Sequence, residues 1–547
     1  MNSLKPMLLT SLKSYNRTQF VKDVTAGIIV AIIALPLSIA LALASGVGPE
    51  AGIFTAIVAG FVISALGGSS VQIAGPTAAF ATIVAGIVAK DGLDGLVIST
   101  ILAGIFLILM GLCHFGSLIK FIPYTITTGF TSGIAVTIVI GQLKDFFGVT
   151  YPDGVKPIET TEKFKAFIEN ISTMNTAALI VGIVSLAILI ISPVIFKKIP
   201  GSLIAVIVGI LMVKFLPLKV STIGNLYTIS NSLPAFHLPA VNLHIIENAL
   251  PNAFTIAVLA AIESLLSCVV ADGMINGKHR SDMELVAQGA GNIASALFGG
   301  IPATGAIART AANIKNGGRT PVAGMVHSIT LVIVLVVLMP FAGMIPMPTI
   351  AAILFIVAYN MCQWRTFVHL IRTAPKSDII VLFATFILTI LFDLVVAIEI
   401  GMVLACLLFI KRMSEETHVD GWTYVDDDTP DVDAHLKKLP LQIRVYEITG
   451  PLFFGAADAI EHIVVKDFTT CLVLRMRSVP AIDSTAMNAL FNLTKVCENK
   501  GITLVFSHVN EQPMKVMKKD GFYELIGKKN FHENIVSALD YAETLVK

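Results

Sequence analysis

Three ionisable side chains lie inside otherwise apolar runs of this chain, where a charge needs a partner or a cavity. Arg309 follows the run IPATGAIA, Glu263 lies within AFTIAVLAAIESLLSCVVADG, and Glu399 lies within LVVAIEIGMVLACLLF. A charge at the centre of a bilayer is costly, and such residues usually face a cavity or another polar group. The alternative for each is a structural ion pair or a side chain that reaches the lipid interface, and this alternative is favoured for Glu399.

The residues before Arg309 would break a helix and leave its N–H groups free to bind an anion. Pro302 and Gly305 interrupt the segment IPATGAIARTAANI, so a helix that begins beside Gly305 directs its free N–H groups into the protein. Gly75-Pro76 in IAGPTAAFATIVAG does the same for a helix that begins near Thr77. Helix N-termini attract anions through these groups and through the positive end of the helix dipole. Two such N-termini that meet beside Arg309 predict a positive pocket.

Small side chains around this pocket leave room for a compact anion held by backbone amides. A pair of interrupted hydrophobic segments, one in each half of a membrane chain, is the best sequence pointer to the substrate site of a transporter. A packing kink remains the alternative for each glycine–proline pair taken singly. The small residues are Thr77, Ala78, Ala79 and Ala308.

The composition predicts that membrane-spanning helices position these residues. Of the 547 residues, 55% are hydrophobic and 14% are charged, whereas ordinary soluble domains have roughly 25% charged residues. A span needs about 20 apolar residues, or fewer where a helix is broken. About fourteen apolar segments between Val24 and Ile410 meet this condition, beginning near residues 24, 49, 73, 95, 121, 176, 201, 250, 286, 303, 322, 348, 378 and 395.

Loop charges predict the orientation of the chain in its membrane. With a cytoplasmic N-terminus and fourteen spans, the basic loops fall inside and the mixed-charge loop 144–173 falls outside, as the positive-inside tendency requires. Both termini are then cytoplasmic, and we expect a multi-pass protein of the plasma (inner) membrane. The basic loops contain Lys197-Lys198, Lys278-His279-Arg280, Lys315 with Arg319, Arg365 with Arg372 and Lys376, and Lys411-Arg412.

Neither the composition nor the motifs favour an enzyme, a cofactor or a nucleic-acid partner. The net charge is +1, and the six cysteines form no C-x-x-C pair. The sequence has no Ser/His/Asp arrangement, no metal-ligand spacing and no P-loop, and His114, His327 and His369 are isolated. We therefore expect no enzymatic activity and no cofactor.

The character of the sequence changes after Arg412, which predicts a second domain. The acidic, aperiodic segment SEETHVDGWTYVDDDTPDVD is typical of a solvated linker. LQIRVYEI, CLVLRMR and ITLVFSH then read as strands, each followed by a helical stretch, which predicts a small sheet with crossover helices. We assign residues 1–23 to a cytoplasmic N-terminal segment, 24–412 to a transmembrane domain, 413–437 to the linker and 438–547 to a cytoplasmic α/β domain.

This second domain resembles a STAS domain, the module shared by sulfate transporters and anti-sigma-factor antagonists. The resemblance rests on TGPLFFGAAD after the first strand and on VPAIDSTAMNAL, which opens a helix after the second. In the antagonists this loop carries a phosphorylatable serine, and the matching position is Ser484. Asp483 and Ser484 are also good helix caps, so a plain cap is the alternative to a regulatory site. Ala486 stands where the family usually has glycine, which argues further against a phosphoswitch.

The membrane part resembles the sulfate permease (SulP) family of anion transporters. The matching segments are ALPLSIALALASGVGPEAGIFTAIV, IAGPTAAF, IESLLSCVVADG and IPATGAIARTAANIKNGGRTPVAG, and with the STAS domain they cover nearly the whole chain. The resemblance implies two inverted seven-segment repeats, a core and a gate domain, a homodimer, and an anion site between the third and tenth segments. The implied anion site comprises Gly75, Thr77, Ala78, Ala79, Leu37, Leu41, Ala308, Arg309 and Thr310.

This sequence departs from its relatives at two places on the implied site. Leu37 and Leu41 stand where many relatives have glutamine and an aromatic residue, and Ala308 stands where some exchangers have serine. The pocket is therefore more apolar than in those relatives. We expect the anion to be held by backbone amides, Thr77 and Arg309.

Glu263 is the predicted coupling site. It resembles the position at which sodium-coupled bicarbonate relatives hold an aspartate, with Ser267 one helical turn further on, so that a Na⁺ ion or a proton could be carried there. We expect H⁺- or Na⁺-coupled symport of sulfate, bicarbonate or a dicarboxylate by an elevator-like mechanism. The alternatives are an anion exchanger, a channel or motor-like voltage sensor, a membrane-tethered STAS signalling sensor, and a nucleobase permease, which Arg309 and the STAS domain disfavour.

Overall fold

The computed structural model describes two compact units, Met1–Met402 and Val403–Lys547. The described residues are 4–117, 122–152, 154–155, 157–195, 200–216, 218–229, 232–239, 243–392, 394–422, 439–461, 463 and 468–546. Most of the predicted linker and the predicted cytoplasmic pair Lys197-Lys198 lie outside these residues.

The first unit is built from helices, with a two-residue strand in each half of the chain. The first half contains α1 Met7–Ser11, α2 Arg17–Ala44, α3 Pro49–Leu66, β1 Ala74–Gly75, α4 Ala78–Leu112, α5 Tyr124–Phe147, α6 Thr160–Glu169, α7 Thr176–Ile195, α8 Gly201–Phe215 and α9 Ile223–Leu226. The second half contains α10 Leu243–Ile275, α11 Ser281–Leu297, β2 Thr304–Gly305, α12 Ile307–Lys315, α13 Val322–Ala342, α14 Met347–Cys362, α15 Trp364–Thr373, α16 Lys376–Leu391 and the first part of α17 Leu394–Glu415, which continues into the second unit.

The predicted membrane architecture is confirmed. Eight helices within the described residues are long and apolar enough to cross a membrane. The longest, α4, is interrupted at Gly92, where φ is 71° and ψ is −170°, so it consists of two helical parts. A positive φ of this kind favours glycine, because other residues pay a steric cost there. Each predicted apolar segment coincides with a helix once the two parts of α4 are counted separately.

The helices of the first unit pack in two groups. The core group consists of α2, α3, α4, α10, α11, α12 and α13, and the gate group consists of α5, α7, α8, α14 and α16. The two groups follow one another twice along the chain, as the predicted inverted repeat requires. Gly104 of α4 and Gly289 of α11 explain one close approach, since a Cβ on either would overlap the carbonyl oxygen of the other. Small residues allow helices to approach in this way inside membranes.

The second unit is a five-stranded sheet covered by helices on both faces. It contains β3 His418–Trp422, β4 Ile443–Thr449, α18 Asp458–Glu461, β5 Cys471–Ser478, α19 Ser484–Asn499, β6 Thr503–Ser507, α20 Glu511–Lys519, α21 Phe522–Ile526, β7 Phe531–His532 and α22 Ile535–Val546. The strand order is β3-β4-β5-β6-β7, with β3 antiparallel to β4 and the other pairs parallel. The predicted α/β pattern is confirmed.

Alternation along the strands explains the two cores of this sheet. Leu472 and Leu474 point to one face, where they pack with residues of α19, whereas Val473 points to the other. Val473 packs with Ala538 and Leu539 of α22. Parallel strands buried on both faces require continuous apolar runs of this kind.

Candidate functional site

An antiparallel pair of two-residue strands brings two helix N-termini together inside the core group. Ala74 pairs with Gly305 and Gly75 pairs with Thr304. The N–H of Ala306 donates to the carbonyl oxygen of Ile73 at 2.9 Å. The strands lead directly into α4 and α12, neither of which has a side-chain cap at its N-terminus. The free N–H groups of the first turns are therefore available to a ligand.

Arg309 lies against the backbone of β1 with part of its guanidinium unpaired. Its side chain is 2% exposed, and Nη2 donates to the carbonyl oxygen of Pro76 at 2.7 Å. Within the described residues, Nε and Nη1 have no hydrogen-bond partner. A Cβ on Gly75 would overlap Nη1, so a larger residue at this position would displace the guanidinium. The guanidinium thus keeps two donors for an anion.

Glu263 of α10 contacts the residue that begins α4. The hydroxyl of Thr77 donates to Oε2 of Glu263 at 2.9 Å, and the Glu263 side chain is half-buried. The next residue, Ser264, holds β2 in place, because its Oγ lies 2.6 Å from Oγ1 of Thr304 and accepts from the N–H of Gly305 at 3.1 Å. The predicted coupling residue is therefore joined to one of the predicted anion-site residues by a single hydrogen bond.

Two further residues of the prediction have different environments. Ser267 is buried, and its Oγ has no hydrogen-bond partner among the residues that the structure describes. Thr310 is also buried, but its Oγ1 accepts from the N–H of Ile73 at 3.0 Å. The Thr310 hydroxyl thus supports the strand crossing.

The remaining residues of the predicted anion site lie on the helices that surround the crossing. Ala78 and Ala79 are buried in the first turn of α4, whereas Ala308 is exposed in the first turn of α12. Leu37 is half-buried and Leu41 is buried, and both lie on α2, which packs against α4 and α12.

A polar stripe on α11 supports both loops of the crossing, and the sequence analysis missed it. Oε2 of Glu284 accepts from the N–H groups of Gly68 and Ser69 at 2.9 and 3.1 Å, and Oε1 accepts from Nε2 of Gln72 at 2.8 Å. Asn292 bonds both the N–H and the carbonyl oxygen of Ala303. Glu284, Gln288 and Asn292 recur every fourth residue, and this spacing within a buried helix was the available signal.

A cavity between the core and gate groups reaches the start of α4. Its volume is about 370 Å³. Residues of α4, α5 and the end of α16 line it, together with the residues that begin α6. Ala79, in the first turn of α4, is among the lining residues. The lining includes Ala79, Thr82, Ile83, Thr137, Glu159 and Phe392.

The isolated ionisable residues of the prediction have separate environments. Glu399 is exposed on α17. His114 is not isolated, because its Nδ1 lies 2.8 Å from Oδ2 of Asp282. His327 is fully buried, and neither ring nitrogen has a hydrogen-bond partner within the described residues. His369 is exposed on α15.

Ser484 is exposed at the start of α19 in the second unit. Asp483 provides the cap, since its Oδ1 accepts from the N–H of Ala486 at 2.9 Å. The other oxygen of Asp483 accepts from the N–H of Phe454 at 2.9 Å. The serine hydroxyl is therefore not needed to cap the helix.

The fold and the crossing of interrupted helices define a helical membrane transporter with a separate STAS domain. The Sulfate permease family matches residues 20–385, and the STAS domain matches residues 437–538. The chain belongs to the sulfate permease family.

The similar curated proteins are named as transporters of two anions. The putative sulfate transporter YvdB of Bacillus subtilis is 39% identical over 533 residues, which are 95% of this chain and 98% of that protein. The bicarbonate transporter BicA of Picosynechococcus is 33% identical over 488 residues, which are 86% of this chain and 85% of that protein. These relatives support anion transport.

Two solved structures are similar in fold. The murine Slc26a9 anion transporter in the inward-facing state has a TM-score of 0.88 at 18% identity, over 99% of this chain and 94% of that chain. The transmembrane domain of a cyanobacterial BicA has a TM-score of 0.63 at 29% identity, over 72% of this chain and 98% of that chain.

Replacing Gly75 by alanine tests whether the position of Arg309 matters. Gly75→Ala places a Cβ on Nη1 of Arg309, so the guanidinium must move away from the crossing. A hydrogen bond from a charged group is worth roughly 1.5–3 kcal/mol and about 1.4 kcal/mol is tenfold, so we expect anion uptake by proteoliposomes to fall about tenfold or more.

Gly86→Ala, also on α4, is the matched control because a Cβ there meets nothing within 4 Å. Both variants should keep the thermal unfolding temperature of the wild type in detergent to within a few degrees. Equal uptake by the two variants would contradict the role given to Arg309.

Proposed function

We propose that this protein is a secondary active transporter that moves a small anion together with H⁺ or Na⁺. The observation that carries the proposal is the buried Arg309, with two unpaired nitrogens, between the N-termini of α4 and α12. Each helix N-terminus contributes roughly half a positive charge, and the guanidinium adds a full one. Within the described residues no carboxylate pairs with Arg309, so the positive charge is available to a substrate.

The relatives and the pocket suggest the same class of substrate. YvdB and BicA are named as sulfate and bicarbonate transporters, and we propose sulfate, bicarbonate or a dicarboxylate for this chain. The alanine side chains of the first turns add no hydrogen-bonding group. The anion is therefore held by backbone N–H groups and Arg309, whereas the predicted contact with the Thr77 hydroxyl is not available because its hydrogen is donated to Glu263.

Glu263 gives this site a means of coupling to a cation. A carboxylate oxygen of Glu263 and the hydroxyl of Thr77, with the unpaired hydroxyl of Ser267 one helical turn further along α10, supply oxygen ligands of the kind that hard cations take. A proton on the carboxylate is the alternative cargo. In either case the cation neutralises a negative charge one hydrogen bond away from the anion site, so each ion favours the binding of the other.

The two groups of helices suggest how the site is exposed. We propose that the core group slides against the gate group in an elevator-like motion and carries the strand crossing with it. The cavity that reaches Ala79 is lined by helices of both groups, and we propose that an anion enters through it. We also propose a homodimer in the plasma (inner) membrane, with both termini and the STAS domain in the cytoplasm.

Uptake by proteoliposomes tests the proposed function. Purified protein is given radiolabelled sulfate, bicarbonate or succinate while a Na⁺ or a proton gradient is imposed separately. We expect one anion to accumulate above equilibrium with one gradient, and Arg309→Ala to lower this uptake by about tenfold or more because a charged hydrogen-bond donor is lost.

Arg477→Ala, an exposed residue of the second unit, is the control and should leave uptake unchanged. Downhill movement alone would favour a channel, because a channel cannot concentrate its substrate. Uptake that requires an anion inside the vesicle would favour an exchanger. A protein that moves no anion but alters STAS-dependent signalling would favour a sensor.

Glu263→Gln tests the coupling. The amide oxygen can still accept the Thr77 hydrogen bond, but the side chain carries neither a negative charge nor a transferable proton. We expect uptake of the anion to lose its dependence on the imposed cation gradient. Glu169→Gln, an exposed carboxylate at the end of α6, should leave that dependence intact. An unchanged gradient dependence in Glu263→Gln would exclude Glu263 as the coupling site.

Ser484 is proposed as a regulatory phosphorylation site. It is exposed at the N-terminus of α19, where the helix dipole stabilises a phosphate, while Asp483 occupies the N–H of Ala486. We expect mass spectrometry of protein isolated from its native cells to find phosphate on Ser484, with Ser484→Ala as the control. The absence of phosphate from this serine under all growth conditions tried would leave it as an ordinary residue of the helix start.

A further inference from the structure

The helix α15, which joins α14 to α16 in the gate group, has an unusual arrangement of side chains. None of its residues is buried. Its apolar residues recur at the spacing of one helix face, and its basic residues recur at the same spacing on the opposite face. The apolar face consists of Trp364, Phe367, Val368 and Ile371, and the polar face consists of Arg365, His369 and Arg372.

Aromatic contacts fix the position of α15 on the gate group. The ring of Phe367 packs against those of Phe383 and Phe386 on α16, with centroids 5.8 and 5.2 Å apart. At the other end, Nε1 of Trp364 donates to the hydroxyl of Tyr359 on α14 at 3.1 Å. These contacts therefore hold α15 against both α14 and α16 and fix its position along their axes.

The hydrogen-bonded aromatic pair formed by Trp364 at the beginning of α15 and Tyr359 on α14 is exposed. Trp364 is 45% exposed and Tyr359 is 58% exposed. Tryptophan and tyrosine are enriched at the level of the lipid headgroups, where the ring is in contact with hydrocarbon and the polar atom with water. The pair Trp364–Tyr359 thus marks the height of a membrane interface on this helix group.

The basic residues of α15 have no acidic partner that would neutralise them. The guanidinium of Arg365 stacks over the Trp364 ring at 5.6 Å from its centroid. Within the described residues, neither Arg365 nor Arg372 forms an ion pair. Lys376, at the first position of α16, adds a third positive charge, and Asp378 in the same turn adds one negative charge. Three positive charges beside an apolar face that is exposed at Trp364 and half-buried at Val368 and Ile371 are complementary to a layer of acidic headgroups.

We propose that α15 lies in the cytoplasmic headgroup layer and binds anionic phospholipids. Amphipathic helices with basic residues on one face and tryptophan or leucine on the other lie in this layer, with the apolar face in the acyl boundary. Arg365, Arg372 and Lys376 contact the phosphates of the lipids. The inference rests on the cytoplasmic orientation given under the proposed function. The bound lipids hold the gate group in the plane of the membrane while the core group moves.

The native tryptophans provide the first test. The chain has two tryptophans, so Trp422→Phe leaves Trp364 as the sole tryptophan, whose emission is excited selectively at wavelengths that tyrosine does not absorb. In vesicles of brominated phospholipid we expect strong quenching, greater for bromine near the glycerol backbone than for bromine at the end of the acyl chain. Quenching by aqueous acrylamide without quenching by the brominated lipids would overturn the proposal. The same measurement on Arg309→Ala protein gives a result that does not depend on transport.

Charge removal tests the choice of anionic lipid. The variant Arg365→Gln/Arg372→Gln/Lys376→Gln is compared with Lys515→Gln/Lys518→Gln/Lys519→Gln, which removes three charges from α20 of the second unit. Uptake is measured in phosphatidylcholine vesicles with increasing phosphatidylglycerol. We expect the first variant to require about fivefold more phosphatidylglycerol, or more, for the half-maximal effect, since each basic residue at the surface contributes to lipid binding. The control variant should respond as the wild type does.

Three outcomes separate the possible failures. Equal lipid dependence in both variants would overturn the binding of anionic lipid by α15. Competition by soluble glycerol phosphate would identify a free phosphate as the ligand and overturn the docking on a membrane. Labelling of Lys376 by an impermeant amine reagent on intact cells would show that α15 lies outside the cell, and it would overturn both the proposed orientation and the binding of α15 to the cytoplasmic leaflet. The tryptophan result would still report contact with lipid.

Discussion

Two stretches of non-helical backbone, those around β1 and β2, lie inside this membrane protein. Their N–H and carbonyl groups must find hydrogen-bond partners, and the rest of the structure depends on this constraint. Open backbone in the hydrocarbon region is tolerated only where protein or a water-filled cavity satisfies it. β1 and β2 pair with one another, which satisfies part of each segment. Side chains of three helices satisfy much of the rest, through Ser264 of α10, Glu284 and Asn292 of α11, and Thr310 of α12. The core group is therefore a scaffold around this crossing.

This constraint also explains why the site is positive. The crossing leaves the first turns of α4 and α12 without side-chain caps, so unpaired N–H groups of both helices converge. Adding an arginine to such a place is unfavourable unless an anion or a carboxylate compensates it. The protein provides one backbone carbonyl, that of Pro76, for one of the guanidinium nitrogens. The proposed anionic substrate neutralises the positive charge that remains.

Much of the fold could be predicted from the sequence, because each of its signals is local. The apolar segments, the breaks at Gly75-Pro76 and Pro302, and the change of composition after Arg412 are read directly from consecutive residues. The polar stripe on α11 was missed because its partners, Gly68 and Ala303, are backbone groups far apart in the sequence. The role of Thr310 was predicted as a ligand contact, whereas its hydroxyl bonds the N–H of Ile73. Hydrophobic periodicity does not indicate which polar atoms meet across helices.

The link between the proposed anion and cation sites is a single side chain. Thr77 precedes the first turn of α4, where the anion is proposed to bind, and its hydroxyl donates to Glu263. If binding of one ion changes the affinity of the protein for a second ion, thermodynamic linkage requires that the second ion changes the affinity for the first by the same factor. Neutralising Glu263 removes a negative charge from beside the anion, and the bound anion in turn raises the affinity for the cation. No long pathway through the protein is needed for such coupling, because the hydroxyl of Thr77 contacts one site and the helix that it begins provides the other.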